Sequence, residues 1–519
     1  MTGGTKSTSR ATASFPVLAR PLLQDSQLRK NVRHATDVIQ AKRDAVVAEM
    51  PDWQALREAG SALRKHTIEN LAFYLQQFEA NCTRAGGVVH WARDAEEARR
   101  IVVCLVKDAM VLGGAAPFTT GHLEDDPTGS RSDAGQVSDQ PRRGEVIKIK
   151  SMTTEEIQLN EAFEATGIHP YETDLAELII QLGQDTPSHI VVPALHKNRQ
   201  QVREIFMREM QLDDLGDTPQ DLADAARKFL REKFLRVQTA VSGANFLIAE
   251  TGGVCVVESE GNGRMCLTLP ETLITIAGVD KVIPRFADLE ILLQLLPRSA
   301  TGERMNPYNS IWTGVHEGDG PRQFHVVLLD NGRSGVLADQ VGRQTLHCIR
   351  CGACQNVCPV YRQTGGHAYG SVYAGPIGAI LTPQLEKLKH AQSLPFASTL
   401  CGACYEVCPV KINIPEVLVH LRNKISGEKK SAWNDPEAFV MVAMGKIFES
   451  ERRFQAAQRL GRLAERALVR NDGAGVGWIS WLPNRLGGWT QVRDLREMPS
   501  ETFRDWWKKR GRTDDSRAV

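Results

Sequence analysis

Cysteine is the residue best placed to do chemistry in this chain: seven of its eleven copies fall in two short runs. The first run is Cys348-Ile-Arg-Cys351-Gly-Ala-Cys354-Gln-Asn-Val-Cys358-Pro359, a C-x2-C-x2-C-x3-C-P pattern. The second, Cys401-Gly-Ala-Cys404-Tyr-Glu-Val-Cys408-Pro409, repeats it with Ser398 where the first cysteine would stand. This is the spacing of a two-cluster bacterial ferredoxin, in which the fourth cysteine of each run ligates the other cluster.

Thiolate sulfur is the soft ligand that cluster iron prefers. A C-x2-C-x2-C loop aims three sulfurs at three corners of one cube. Gly352, Ala353, Gly402 and Ala403 allow close backbone approach, so that peptide N–H groups can reach the sulfurs. The proline after each fourth cysteine lacks a donor and ends the local turn, sending that cysteine toward the partner cluster. By this crossover, two [4Fe–4S] clusters are expected. Cluster 1 takes Cys348, Cys351, Cys354 and Cys408; cluster 2 takes Cys358, Cys401 and Cys404. Cluster 2 is one thiolate short. Ser398 could supply an alkoxide, a distant cysteine could reach in, or the corner could stay open as in a [3Fe–4S] species. The favoured reading is a four-iron cluster with a non-cysteine or exchangeable fourth ligand.

Two other chemistries use such spacings. Paired Cys-x2-Cys elements hold tetrahedral zinc, but seven cysteines in this order suit two clusters better than four-ligand sites. A disulfide framework fits an odd cysteine count poorly, and no secretory signal points to an oxidising compartment. The protein is therefore expected to be cytoplasmic. Cys82, Cys104, Cys255 and Cys266 are scattered among mostly apolar neighbours and read as core residues.

The elements that must position these runs are long enough for two or three domains, at 519 residues with 42% hydrophobic and 24% charged content. A formal net charge of +1 argues against a protein devoted to nucleic acid. No run of eighteen apolar residues predicts a transmembrane helix, so any membrane association would be peripheral, through a partner.

Residues 1–30 read as a flexible tail, their first twenty rich in Ser, Thr and Arg. Residues 35–110 read as helices broken at Pro51 and near Gly86-Gly87, with a strand at Val88–Trp91 and a charged helix at Asp94–Ala109. Gly, Pro, Ser and Asp dominate 113–144, a loop insertion. Strands are expected at Val146–Lys150, Ile190–Leu195, Asn245–Ala249 and Phe324–Leu329, with helices at Arg199–Met210 and Leu222–Val241. Thr153 to Glu156 fits a capping box opening another helix. This alternation implies an α/β domain with a largely parallel sheet.

Cys255–Glu260 and Arg264–Leu269 read as a hairpin around Asn262-Gly263, with Glu258 and Glu260 as solvated acids rather than catalytic ones. Gly252-Gly253 lacks the spacing of a dinucleotide fingerprint. His316, Glu317 and Asp319 read as a polar loop that could bind a substrate or metal. His347, His367 and Tyr369 read as residues supporting the cysteine runs rather than as ligands. Beyond Pro415 helices return. Trp478, Trp481, Trp489, Trp506 and Trp507 either pin the C-terminal segment to its own domain or dock a partner, two readings of equal weight.

Further segments carry a family resemblance. Lys150-Ser-Met-Thr-Thr-Glu-Glu-Ile157, Ser188-His-Ile-Val-Val-Pro-Ala-Leu-His-Lys-Asn198 and Glu258-Ser-Glu-Gly-Asn-Gly-Arg264 are three of them. Phe324-His-Val-Val-Leu-Leu-Asp-Asn-Gly-Arg333, both cysteine runs and Phe503-Arg-Asp-Trp-Trp507 complete the set. Together they resemble the lactate-utilization protein B family, over most of the chain after about residue 30. That family's second run similarly begins Ser-Thr-Leu-Cys, and the 113–144 loop is a departure. The resemblance implies a sugar-isomerase-like (NagB/RpiA-like) α/β domain of LUD type over 31–335 and a mainly helical double-cluster domain over 336–425. A helical, Trp-rich segment over 426–519 follows. It also implies an electron-transfer subunit of a multisubunit L-lactate oxidation complex, passing single electrons between two clusters toward a quinone or other acceptor. Two alternatives stand beside it: a self-contained hydroxy-acid dehydrogenase, or a redox sensor or scaffold.

Overall fold

A computed structural model describes residues 14–113, 144–386, 388–428, 436–471, 477–483, 487–490 and 493–514. The chain forms two compact units, Met1–Ser426 and Gly427–Val519. Most of the 113–144 insertion lies outside the described residues.

The first unit opens with helices α1 (Phe15–Leu22), α2 (Ser26–Ala48), α3 (Trp53–Glu69) and α4 (Leu71–Arg84). Residues 14–30 are thus not the tail that their composition suggests. Ala19, Leu28 and Val32 bury their apolar side chains, and the Phe15 ring meets Tyr369 edge-on at 5.0 Å. Burial against the cysteine region folds this stretch, a long-range cause that its composition does not carry.

The α/β part is built on a six-stranded sheet whose hydrogen-bonded pairs are all parallel. Its strands are β1 (Val88–Ala92), β2 (Gly144–Lys148), β3 (Ile168–Glu172), β4 (Thr239–Ser242), β7 (Thr272–Gly278) and β10 (Gln323–Leu329), in the order β1-β10-β7-β4-β2-β3. Alternation sends Leu273, Ala277, Val326 and Leu328 to one face, with Leu75 and Phe78 of α4. Ile274, Ile276, Val327 and Leu329 go to the other, against Ala98, Val102 and Val106 of α5 (Ala95–Gly113). Both faces are covered, so the seven residues of β7 are all buried.

A second sheet has the order β8-β5-β6-β9, from β5 (Phe246–Ile248), β6 (Gly253–Glu258), β8 (Val282–Ile283) and β9 (Tyr308–Trp312). It joins the α/β part to the cysteine region. Leu247, Val254, Val256 and Val282 pack with the first sheet. Phe246, Ile248, Cys255 and Ile283 share a core with Leu292, Leu295, Cys351, Cys358, Cys404 and Cys408. One continuous core therefore crosses the boundary expected at 335/336.

Four local expectations differ. The helix expected over Leu222–Val241 ends at Arg236, because Thr239–Ser242 pairs with β2 and β7 as strand β4. Ile190–Leu195 is irregular, because the His189 ring and the Gln355 amide of the first cysteine run take its backbone N–H groups (below). Cys255–Leu269 is strand β6 followed by a helix, Asn262–Thr268, rather than a hairpin. Gly261 makes the turn at φ +86°, and the Glu258 carboxylate accepts from Gly263 N and Arg264 N at 2.7 and 2.6 Å. Glu258 thus satisfies donors at a helix start that would otherwise be orphaned. The helix Met152–Glu156 is capped by Ser151, whose Oγ accepts from Thr154 N, and not by Thr153. Its Glu156 is committed to Arg333 instead.

The second unit holds helices Pro436–Phe448, Glu451–Glu465 and Phe503–Asp514 and a small three-stranded antiparallel sheet. Phe503, Trp506 and Trp507 lie within 5.6–6.2 Å of one another, centroid to centroid, and remain exposed, as does Trp481.

Candidate metal centre

The two cysteine runs fold into loops of the same shape. Arg350 and Gly352 in the first adopt φ +61° and +76°; Leu400 and Gly402, at the same places in the second, adopt +57° and +87°. Left-handed Arg and Leu cost about 1–2 kcal/mol each. Each turn recovers a hydrogen bond: Arg350 N donates to Cys348 Sγ at 3.4 Å, and Leu400 N donates to Ser398 Oγ at 3.2 Å. Ser398 therefore stands in its loop as Cys348 stands in the other. Tyr361 N and Ile412 N likewise donate to Cys358 Sγ and Cys408 Sγ at 3.5 and 3.4 Å. These are the peptide-to-sulfur bonds expected of a cluster loop.

The sulfurs gather across the runs. Cys348, Cys351, Cys354 and Cys408 line one small cavity walled by Ile349, Ile377, Val410 and Ile412. Cys358 and Cys404 are within electrostatic reach of Cys401. Burial, then the sulfurs of Cys358 and Cys401, push the Cys404 thiol up to about 12. Burial raises the Cys408 thiol to about 11, with Cys348 adding to the rise. Sulfurs packed this closely cannot all ionise by themselves; a multivalent cationic group is what makes the set stable as thiolates. Mononuclear zinc does not suit the spacing. Among the described residues no three cysteine sulfurs lie within 4.8 Å of one another, whereas a Zn–S bond of about 2.3 Å puts tetrahedral sulfurs about 3.8 Å apart. The donor set fits a polynuclear iron–sulfur group. Cys401 is exposed, while Cys351, Cys358, Cys404 and Cys408 are buried.

Helix α3 braces both runs with residues that sequence reasoning did not single out. Arg57 donates to the Cys408 carbonyl from Nε and Nη2 at 3.0 and 2.8 Å. Two turns on, Arg64 is 1% exposed and donates to the carbonyls of Asp280, Val282, Leu346 and His347. It ties the second sheet to the residue before Cys348. Behind Arg350 lies a buried charge network. Arg333 grips Glu156 with Nη1 and Nη2 at 2.9 and 2.7 Å and Asp280 with Nε at 2.6 Å, while Arg350 reaches Asp280 at 3.3 Å. Burial opposes the Asp280 carboxylate, but Arg333, Arg350 and Lys281 outweigh it and hold its pKa well below the usual range. Lys281 is different. Burial, with Arg350 beside it, pushes its amine down to about 7.

The irregular stretch after Ser188 is held by side chains. His189 Nδ1 accepts from Val191 N and Val192 N, both at 3.0 Å, and its Nε2 lies 3.1 Å from Asn356 Oδ1. Gln355 Oε1 accepts from Ile190 N at 3.4 Å. This arrangement needs neutral His189, since protonated Nδ1 could not accept. Burial lowers its pKa from 6.5 to about 4, offset in part by Asn356. A folded-state pKa below the unfolded one gives stability that is present above about pH 6.5 and lost as pH falls toward about 4. His325 and His347 shift the same way, for the same leading cause. The thermal midpoint is thus expected to fall between pH 6.5 and 4, and to fall less in His189→Gln, whose amide can both accept and donate. Identical pH profiles for the two proteins would contradict this role.

Cys82, Cys255 and Cys266 are buried, as expected, but Cys104 is exposed. Gly252, at φ +69°, lets the β5–β6 turn approach the Cys82 backbone, leaving no phosphate cradle. Glu260 accepts from Leu175 N at 3.0 Å. His316 pairs with Asp319 as an isolated bridge, and these residues form no metal-ligand cluster among the described residues. Tyr369 is buried within reach of Cys358. His367 joins His196 and Asp185, but Lys197 already occupies that carboxylate.

Comparison with known proteins then decides the family. The LUD domain matches residues 75–329, a 4Fe-4S dicluster domain matches 344–412, and the C-terminal domain of lactate utilisation protein B matches 419–512. The chain is 38% identical to "Lactate utilization protein B 1" of Bacillus mycoides over 496 residues, 95% of each chain. It is 39% identical to "Lactate utilization protein B" of Oceanobacillus iheyensis over 489 residues, 93% of this chain and 94% of that one. The chain belongs to the lactate utilization protein B family. It is also 37% identical to the "Uncharacterized electron transport protein YkgF" of Escherichia coli, over 95% of this chain and 96% of that one. In this chain the dicluster match encloses all seven clustered cysteines and Ser398. Among its described residues no helix is long and apolar enough to cross a membrane.

Proposed function

We propose that this chain is the iron–sulfur electron-transfer component of a lactate-utilization system. In this reading Cys348, Cys351, Cys354 and Cys408 hold one [4Fe–4S] cluster, and Cys358, Cys401 and Cys404, with Ser398 at the fourth corner, hold a second. The observation that carries it is the gathering of Cys408 with the sulfurs of the other run in one apolar cavity. A bound cluster accepts and returns one electron at a time, its potential set by hydrogen bonds to sulfur and by solvent access. The chain's own part is to hold the sulfurs, aim peptide N–H groups at them and keep water from Cys351 and Cys408 of the first set. At Cys401 it leaves the second set at the surface, where a partner can exchange electrons. The relatives' names support lactate as the electron source and a multi-component system as the setting. The parallel sheet, covered by helices on both faces, supports a sugar-isomerase-like (NagB/RpiA-like) α/β domain.

The role of Ser398 has its own test. Ser398→Cys is expected to slow loss of the second cluster in air by about tenfold and to change its EPR signal, as adding a thiolate should. Ser398→Ala is expected to speed that loss. A Ser398→Cys protein with unchanged spectrum and lifetime would remove Ser398 from that corner.

A further inference from the structure

The six-stranded sheet has one place where the chain changes direction. From β2 it moves outward to β3; from β4 it moves the other way, to β7 and then β10. The carboxyl ends of β2 and β4, which are neighbours, therefore flank the topological switch point, where open α/β sheets bind small molecules. A cavity of about 460 Å³ opens there, lined by Lys150 and Ser151 after β2 and by Gly243 and Asn245 after β4. Its size suits a small ligand.

Lys281 lines this cavity and is 8% exposed. Burying a cation is costly unless it is paired, and the other deeply buried cations here are paired. Lys148 holds Glu172 at 2.7 Å, Arg333 holds Glu156 and Asp280, and Arg64 holds backbone carbonyls. The Lys281 side chain makes no direct ion pair or hydrogen bond among the described residues; its charge is answered at longer range by the adjacent Asp280, which Arg333 and Arg350 already hold. Of the carboxylates that line the cavity, Glu258 is engaged with the helix start at Gly263, Asp174 with Ala176 N and Glu177 N, and Glu260 with Leu175 N, and Glu303 lines it as well. Asn245 gives its Oδ1 to Val257 N and leaves its amide NH2 without a partner among the described residues. An unpaired ammonium lining the cavity and a free amide donor, beside the apolar surface of Met152, Val191 and Tyr373, make a complementary set.

We propose that this crevice binds a small organic carboxylate, with the carboxylate on Lys281 and a neighbouring oxygen on the Asn245 amide. Arg350, between Cys348 and Cys351, lines the same cavity, so an occupant's charge lies beside the first sulfur set. The site is argued from these residues alone; only the choice of L-lactate as a probe rests on the proposed function.

The test is calorimetric titration of the anaerobically purified full-length protein with L-lactate, pyruvate, acetate and inorganic phosphate. At least one carboxylate is expected to saturate a single site. Lys281→Met should weaken its binding by about tenfold or more, the loss expected for a charge-assisted hydrogen bond, and Lys281→Arg should largely restore it. Lys228→Met, at an exposed surface pair, should leave it unchanged. Asn245→Leu provides a second disruption should Lys281→Met fold poorly. Binding unaffected by both variants, binding of phosphate only, or no binding at all would overturn the proposal. Iron analysis of the same samples reports separately on the clusters, so failure of the electron-transfer reading would leave the titration interpretable.

Discussion

Replacing Cys408 with alanine is expected to remove the cluster built on the first cysteine run and to lower the iron from about eight to about four per chain. Cys408 follows Cys401 and Cys404 in sequence, yet it lines the cavity of Cys348, Cys351 and Cys354. Arg57 holds its carbonyl and Ile412 N reaches its sulfur. Pairs of variants make the membership measurable. Cys348→Ala and Cys408→Ala remove ligands of one cluster, so combining them should cost no more iron than either alone. Cys348→Ala with Cys358→Ala strikes both clusters and should leave almost none. Groups that act as one unit are non-additive in this way, and independent ones are not. If Cys348→Ala and Cys408→Ala each cost about four iron and together cost about eight, the crossover would be wrong.

Arg333→Ala is expected to destabilise the first unit by about 3–5 kcal/mol, the usual consequence of removing one partner from a buried ionic network. Arg333 is 1% exposed, and it answers both Glu156 and Asp280. Without it two buried carboxylates share little more than Arg350, the Asn331 amide and the Tyr373 hydroxyl. Anaerobic denaturant unfolding would show the loss as an earlier midpoint. The network also sets an acid limit. Glu156 is held low by Arg333 against its burial, and Asp280 by Arg333 and Arg350 against its own. Their stabilisation is complete above the ordinary carboxylate pKa of about 4 and is lost as pH falls below it. Arg333→Ala should therefore flatten the pH dependence of stability below about pH 4. An Arg333→Ala protein as stable as the parent would contradict this account of the network.

The cysteine spacing made the metal centre legible, because ligand geometry is a local property of a short loop. Strands β1, β2 and β10 were legible for a similar reason: their apolar runs are bounded by turn residues. What the sequence did not disclose depends on distant partners. Ile190–Leu195 has the composition of a strand, but its peptide groups are taken by His189 and Gln355. Asn262-Gly263 reads as a hairpin turn until Glu258 is seen to cap the helix that starts there. Arg57 and Arg64 look like ordinary polar positions on an amphipathic helix; only the fold brings them to the carbonyls flanking the cysteine runs. Lys281 sits in an apolar stretch with no motif around it. It stands out only because every buried cation near it has a partner.

The central claim is that the two runs cross to hold two four-iron clusters in an electron relay. It is tested most directly by iron and acid-labile sulfide analysis of the anaerobically purified protein, with EPR before and after stepwise reduction. The account predicts about eight iron and eight sulfide per chain and two reducible signals that broaden one another when both are reduced. Zinc without sulfide, or about four iron giving one isolated signal, would contradict it.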